Sequence, residues 1–552
     1  MRRTPHRLVA ALAAAALLAL AGCGSDDNGD SGGDSDAATG GTATAYYTSF
    51  PDYLDPALSY TVEGWQALWV TYTPLLTYKH VEGVDGSKVV PGLAKALPEV
   101  SDDGTTYTLT LREGLTYSDG TAVKASDFEH AIKRVLNLES GGSSFYQGIE
   151  GAEQYLKDGK AKADISGIET DDATGEITIK LTEPDGQFPF ALSMVFASPV
   201  PGDTPFENQT KSPPPGVGAF TISEVDGSRG FTLTKNEKFE GLDGVPTAKL
   251  DSMKITVVKD ARRQGQDIID NKVDYIIDPP VREQLREIRT EIPDRFKEFT
   301  TISTYYAFLN TQEAPFDKKE VRQAVNFGLN KPALARQFSG LLEPTCNFLP
   351  PNMQGFEKLD PCPYGDPNAE PDVAKAKQLV KDAGAEGAKV TVWGNDEPET
   401  REVTLALADQ MKAIGLDATP KIVEGSVYFQ TIGNEKTKAQ AGFANWFADF
   451  PHPANFMFLV DGGTIQPTNN QNFSNVDDPT INDTLAEINQ NADLGAVASQ
   501  YAELDKRIVD EAFIAPYGNR KLTLTTSDRM AFGDIVWHPL FNADYSTFAL
   551  KK

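Results

Sequence analysis

The sequence predicts an α/β protein, because strand and helix patterns interleave along the chain rather than segregating to separate halves. Two kinds of periodicity carry this. Tyr107, Leu109 and Leu111 alternate with Thr106, Thr108 and Thr110, and Ile177, Ile179 and Leu181 alternate with polar neighbours, as half-buried strands do. Val403, Leu407, Met411 and Ile414, and again Val497, Tyr501, Leu504 and Ile508, recur every three or four residues, as the buried face of a helix does.

The chain opens with Arg2, Arg3 and Arg7, then a small and apolar run over residues 8–21, then Gly22-Cys23. That order is a secretory signal, and the run is too short to span a bilayer, which needs about 20 residues. Residues 1–22 are therefore expected to be removed. Leu20-Ala21-Gly22-Cys23 resembles the lipobox of bacterial lipoproteins, which implies that Cys23 is lipidated and becomes the first mature residue. An ordinary signal peptide with an incidental cysteine is the alternative. Two acyl chains hold a protein stably where one does not, so the expected address is the outer face of the cytoplasmic membrane, through the lipid anchor only. Residues 24–45 contain six Gly and five Asp and no aromatic. They read as a flexible tether with a root-mean-square span of about 25 Å.

The roughly 500 residues that follow predict two or three domains. Further strands are expected at Phe231-Thr232-Leu233, Ile255-Thr256-Val257-Val258, Val273-Asp274-Tyr275-Ile276-Ile277 and Lys389-Val390-Thr391-Val392-Trp393. Asp317, three residues before Glu320, reads as the cap of a helix whose buried face is Val321, Ala324, Val325 and Gly328. Asp372 reads as the cap of another, with Val373, Ala376, Leu379 and Val380 inward and Gly384 as its stop. Cys346 and Cys362 face each other across a proline-rich loop. In an oxidising compartment a disulfide is the simplest reading, with two free thiols as the alternative.

The formal net charge is −28, which argues against nucleic acid and anionic lipid as partners. Five histidines, with none of the close spacing of a zinc helix, argue against a metal centre. No nucleophile elbow and no phosphate-binding glycine loop is present, and Gly216-Val217-Gly218 lacks the third glycine of a dinucleotide fingerprint. The expectation is a binding protein, not an enzyme, with no cofactor and no metal.

Several stretches in order carry a resemblance. They are Leu54-Asp55-Pro56, Thr73-Pro74-Leu75-Leu76-Thr77-Tyr78, Val90-Pro91-Gly92-Leu93-Ala94, Asp103-Gly104-Thr105, Leu111-Arg112-Glu113-Gly114-Leu115, Tyr117-Ser118-Asp119-Gly120-Thr121 and Ala125-Ser126-Asp127-Phe128. Later come Pro315-Phe316-Asp317 and Trp446-Phe447-Ala448-Asp449. Asp103-Gly104 and Asp119-Gly120 also make sense locally as turn dipeptides, and Ser126 as a helix cap. Together these stretches resemble the family 5 extracellular solute-binding proteins, the peptide- and nickel-type receptors of ABC importers. The resemblance implies a two-lobed periplasmic-binding-protein-like fold of class II, with an extra domain and a hinge of two chain crossings. The crossings are expected at residues 299–303 and 514–517. Lobe one is then 46–300 plus 516–552, with the extra domain at about 81–200, and lobe two is 301–515.

In peptide-binding relatives the Trp-x-x-Asp segment lies in the cleft and its carboxylate pairs with the ligand ammonium. That implies roles for Asp449 and Trp446 here, with a cap or turn role for Asp449 as the alternative. Tyr60, Glu63 and Trp65 after the first motif, Trp393 at a strand end and Asn445 complete the candidate set. The expected function is capture of a peptide or similar solute by a monomer, delivered to a membrane permease and its ATPase. A surface sensor or adhesin, or a sugar or opine as solute, is the alternative. Nickel is disfavoured by the scarcity of histidine.

Overall fold

Three sheets organise the chain in a computed structural model, which describes residues 37–158 and 164–552. The signal sequence and Cys23 lie outside the described residues. The first sheet runs in the order Tyr275–Ile276, Thr42–Tyr47, Ser252–Val257, Gly230–Lys235, Phe220–Ser223. Thr42–Tyr47 pairs in parallel with a strand on each side, Ala45 opposite both Ile255 and Tyr275. The expected tether to residue 45 is therefore too long. Thr-Ala-Thr-Ala-Tyr-Tyr is a period-two strand whose Ala43 and Ala45 are both 0 % exposed, and Ala38 already donates to Leu550 O at 2.7 Å. Small side chains concealed the pattern: alanine adds little to mean hydropathy, yet it is what a strand closely flanked by two others can hold.

A four-stranded antiparallel sheet follows the order Glu99–Val100, Thr106–Thr110, Glu176–Lys180, Ile168–Asp171. The Asp-Gly turns form as expected: the Asp119 carboxylate accepts from Thr121 N, and Gly120 takes a φ of 95° that other residues rarely adopt. Helix Ser126–Asn137 packs Phe128, Ala131, Ile132 and Val135 inward. Ser126 does not cap it. Its hydroxyl and amide both bond Asp172 instead, and Ala125 occupies the cap position.

The third sheet has the order Phe296–Thr300, Ile514–Thr525, Ser303–Leu309, Ala441–Phe447, Lys389–Asn395, Asp417–Val423, with Leu342–Glu343 added beside the 514–525 strand. Helices Lys319–Gly328, Val373–Asp382, Pro398–Ala413 and Leu494–Asp510 cover it, and the predicted stripes turn inward. Asp372 accepts from Lys375 N, as a cap should. Asp317 does not cap its helix, which begins one turn-position later at Lys319. Arg322 holds that turn from within the helix by donating to Phe316 O.

Strand pairing shows where the chain changes partners along the long strand Ile514–Thr525. Residues 296–300 pair with the far half of Ile514–Thr525 (Lys521 to Thr525), and residues 303–309 pair with its near half up to Gly518. The chain passes from one pairing to the other at Thr301-Ile302, and strand Ile514–Thr525 runs unbroken through residues 514–517 and changes partner at Asn519-Arg520. A register shift between Tyr305 and Tyr306 lets Pro516 sit inside the ladder, where it would otherwise end the strand.

Candidate functional site

The first half of the site is a short loop organised by one carboxylate. Asp52 accepts from Ser59 Oγ, Thr61 Oγ1 and the amides of Tyr53 and Tyr60, which fixes the entry to helix Val62–Trp69. Thr61 caps that helix on Gly64 N. Trp65 Nε1 donates back to Ser59 O at 2.7 Å, and its ring stacks on Tyr60 at 5.6 Å and 18°. Tyr60 and Trp65 are thus held as one aromatic face.

The second half comes from the end of strand Ala441–Phe447. Ala448 N bonds Ile302 O, which places Asp449 beside the first crossing. The side chain of Asn455, on helix Ala454–Met457, then orders the segment. Its Oδ1 accepts from Asp449 N at 2.9 Å and Trp446 Nε1 at 3.2 Å, and its Nδ2 donates to Asp449 Oδ2 at 3.1 Å. Across the gap the Tyr60 hydroxyl donates to Asp449 Oδ1 at 2.8 Å. Among the described residues, Asp449 makes no ion pair with lysine or arginine. Burial raises its pKa above the ordinary carboxylate value, and the bonds from Asn455 and Tyr60 pull it part of the way back. The Tyr60 phenol is pushed up by burial and then by the Asp449 charge.

Tyr60, Trp65, Ile302, Asp449, Leu522 and Phe541 are among the walls of a cavity of about 190 Å³. Its mouth is apolar: Val62 is 53 % and Phe447 41 % exposed. A larger groove of about 880 Å³ runs along the disulfide-bearing loop, past Glu298, Phe299, Cys346 and Cys362. It is built on the third sheet and that sheet's own loop. The Cys346 and Cys362 sulfurs are 2.06 Å apart, a bonded distance.

Of the predicted residues, the structure brings together Tyr60, Trp65 and Asp449. Trp446 stands behind them, tied to Asp449 through Asn455 and packed edge-on against Phe458. Asn445 lies opposite Tyr305 in the sheet and bonds its hydroxyl. Glu63 lies outside the cavity walls, and its pKa is raised by burial and by Asp278 and Asp52 nearby. Trp393 is not in the cavity either: it is buried in the sheet with Lys421 Nζ 3.9 Å over its ring. A strand end near a boundary is a sound place to look, but this tryptophan sits on the side covered by helix and neighbouring strand. Sequence reasoning missed Asn455, Ile302, Leu522 and Phe541, which share no motif or period and converge only through the sheet pairing. Among the described residues no group of three or more histidine, cysteine or acidic side chains could hold a metal.

The cavity thus gathers side chains from the loop before helix Val62–Trp69, from the third sheet and from the C-terminal segment around Phe541, in a mixed α/β chain. The comparisons give the family. The model of bacterial extracellular solute-binding proteins, family 5, matches residues 88–467, and the chain belongs to that family. It is 24 % identical over 533 residues to the dipeptide-binding protein DppE of Bacillus subtilis (strain 168), covering 94 % of each chain. It is 26 % identical to heme-binding protein A of Haemophilus influenzae, covering 86 % of this chain and 88 % of that one. The structure of clavulanic acid biosynthesis oligopeptide binding protein 2 has the same fold, with a TM-score of 0.83 at 24 % identity over 93 % of this chain and 96 % of that one. Among the described residues no helix is long and apolar enough to cross a membrane.

Proposed function

We propose that this chain is a lipid-anchored receptor that captures a peptide or similar amine-bearing solute between its lobes and delivers it to a membrane permease driven by a separate ATPase. The observation that carries the reading is Asp449, a carboxylate in an aromatic-walled interlobe cavity whose side-chain partners are a phenol and an amide, both neutral. A carboxylate half out of water, with acceptor capacity left over, favours an ammonium group strongly, because a charge-assisted bond there is little screened. Tyr60 and Trp65 supply an apolar wall for the body of the solute. Relatives are named for cargoes as different as a dipeptide and heme, so the solute class is taken from the site and not from the family.

Micromolar capture needs about 8 kcal/mol net, within reach of one buried ion pair, a few hydrogen bonds and aromatic packing. Closure follows because the solute touches both lobes and so favours the form in which they meet. The reading extends to a monomer held at the outer face of the cytoplasmic membrane through Cys23. The tether expected after Cys23 then ends before Thr42, where the first strand begins.

The test is calorimetric titration with peptides that have a free N-terminus, guided by native mass spectrometry of co-purified solute. Asp449→Asn should weaken binding at least tenfold. Unchanged affinity would remove Asp449 from the site.

A further inference from the structure

The residue after Asp449 points to a limit on solute size. Phe450 is buried against two rings from the other lobe, Phe145 at 6.1 Å and Phe190 at 5.8 Å between centroids. His452 adds an edge contact to Phe190 at 4.9 Å. Phe145 in turn meets Tyr60 at 6.4 Å, so the aromatic contacts run without a gap from the cavity wall across the cleft. Tyr60 is braced from behind by Phe196 at 5.6 Å. Further along, Gly186 N donates to Asn489 O at 2.7 Å.

The cavity left on the Asp449 side is about 190 Å³. For scale, a cavity of about 150 Å³ accommodates a benzene-sized molecule, and sites for drug-sized ligands run to about 300–1,000 Å³. Phe450 follows Asp449 directly and is linked through Phe145 to Tyr60 in the cavity wall, so a solute held at Asp449 has the three rings behind that wall. We propose that Phe145, Phe190 and Phe450 form a stopper across the cleft that restricts the solute to one or two residues, with Phe450 setting the limit. The inference rests on Asp449 as the ammonium site and adds the length of the solute.

The experiment measures affinity against length with leucinamide, leucyl-alanine and its tri- and tetrapeptide extensions, each also as the N-acetylated form. The wild-type protein should bind the one- and two-residue probes and lose at least tenfold at three residues. Phe450→Ala and, from the opposite lobe, Phe145→Ala should each recover at least tenfold for the tri- and tetrapeptide. Two variants on different elements, each checked by thermal melting, separate a widened cleft from a misfolded lobe. Equal wild-type affinity from two to four residues, or an unchanged length profile in both folded variants, overturns the stopper while leaving the ammonium site intact. No binding by any probe, or equal binding of acetylated and free forms, overturns the Asp449 reading and the stopper with it.

Discussion

Two aspartates, each within one of the motifs that carry the family resemblance, have opposite surroundings. Asp55 is 0 % exposed and meets the equally buried Arg134 in a two-pronged pair, Nη1 to Oδ1 at 3.0 Å and Nη2 to Oδ2 at 2.7 Å. The amides of Ala57 and Gln209 complete its shell. Asp449 has a phenol, a side-chain amide and a cavity. The core aspartate carries its own cation; the cleft aspartate has only neutral donors, and so retains a preference for a cation from outside. The difference separates a carboxylate that joins parts of the fold from one that faces a cavity with only neutral partners.

The largest expected effect tests the first half of this comparison. Asp55→Ala strands a buried guanidinium and should cost about 3–5 kcal/mol in urea unfolding. A loss under 1 kcal/mol would show that Arg134 finds other compensation and that the pair is not structural.

Next is Asp505, a control for what neutral donors alone do in a dry site. It accepts from Asn347 Nδ2 and the amides of Phe348 and Leu349, and burial pushes its pKa up to about 6. A raised carboxyl pKa means that the folded state holds the proton more tightly than the unfolded chain does. Its contribution to stability is therefore greatest at low pH and is lost as pH rises from about 4 to 6, by up to about 3 kcal/mol. Between pH 4 and pH 7, Asp505→Asn should lose less stability than the wild type by about 1–3 kcal/mol, measured by paired urea titrations. Identical pH slopes would refute the assignment.

Giving the cleft its own cation should make it resemble the core. Tyr60→Lys places an ammonium where the phenol now bonds Asp449, and affinity for amine-bearing solutes should fall about thirtyfold. An unaffected affinity would mean that Asp449 is not where the solute's charge goes. Tyr60→Phe, the mildest change, removes one neutral donor and one bond between the lobes. It should weaken binding about fivefold, with a melting temperature within about 2 °C of wild type. A strengthened affinity would instead make the phenol a competitor of the solute.

How far the sequence could be read depends on whether a signal is local. Helix faces such as Val403–Leu407–Met411 and the cap at Asp372 were readable because they depend on residues within a few positions of one another. Asp317 and Ser126 had the right residue types at plausible cap positions, and neither caps its helix. Arg322 controls the turn before one helix, while Asp172, 46 residues away, draws the side chain of the other. In the site, Asp449 and Trp446 came from a motif and Tyr60 and Trp65 from their place after one. Asn455, which positions Asp449, left no trace in the sequence, since an asparagine six residues on has many ordinary uses.

By itself the sequence determined the α/β class and the family, because periodicity and ordered motifs survive without coordinates; Asp449 it offered as a candidate. Only the tertiary structure decided that Tyr60 reaches Asp449 across 389 positions, that Trp393 and Glu63 lie outside the cavity, and that Phe450 packs against Phe145 and Phe190. Those facts depend on where separate elements meet. The physical reason is that side chains report their own burial and spacing, whereas the facing partner is chosen by sheet order and by the path of the chain through the hinge.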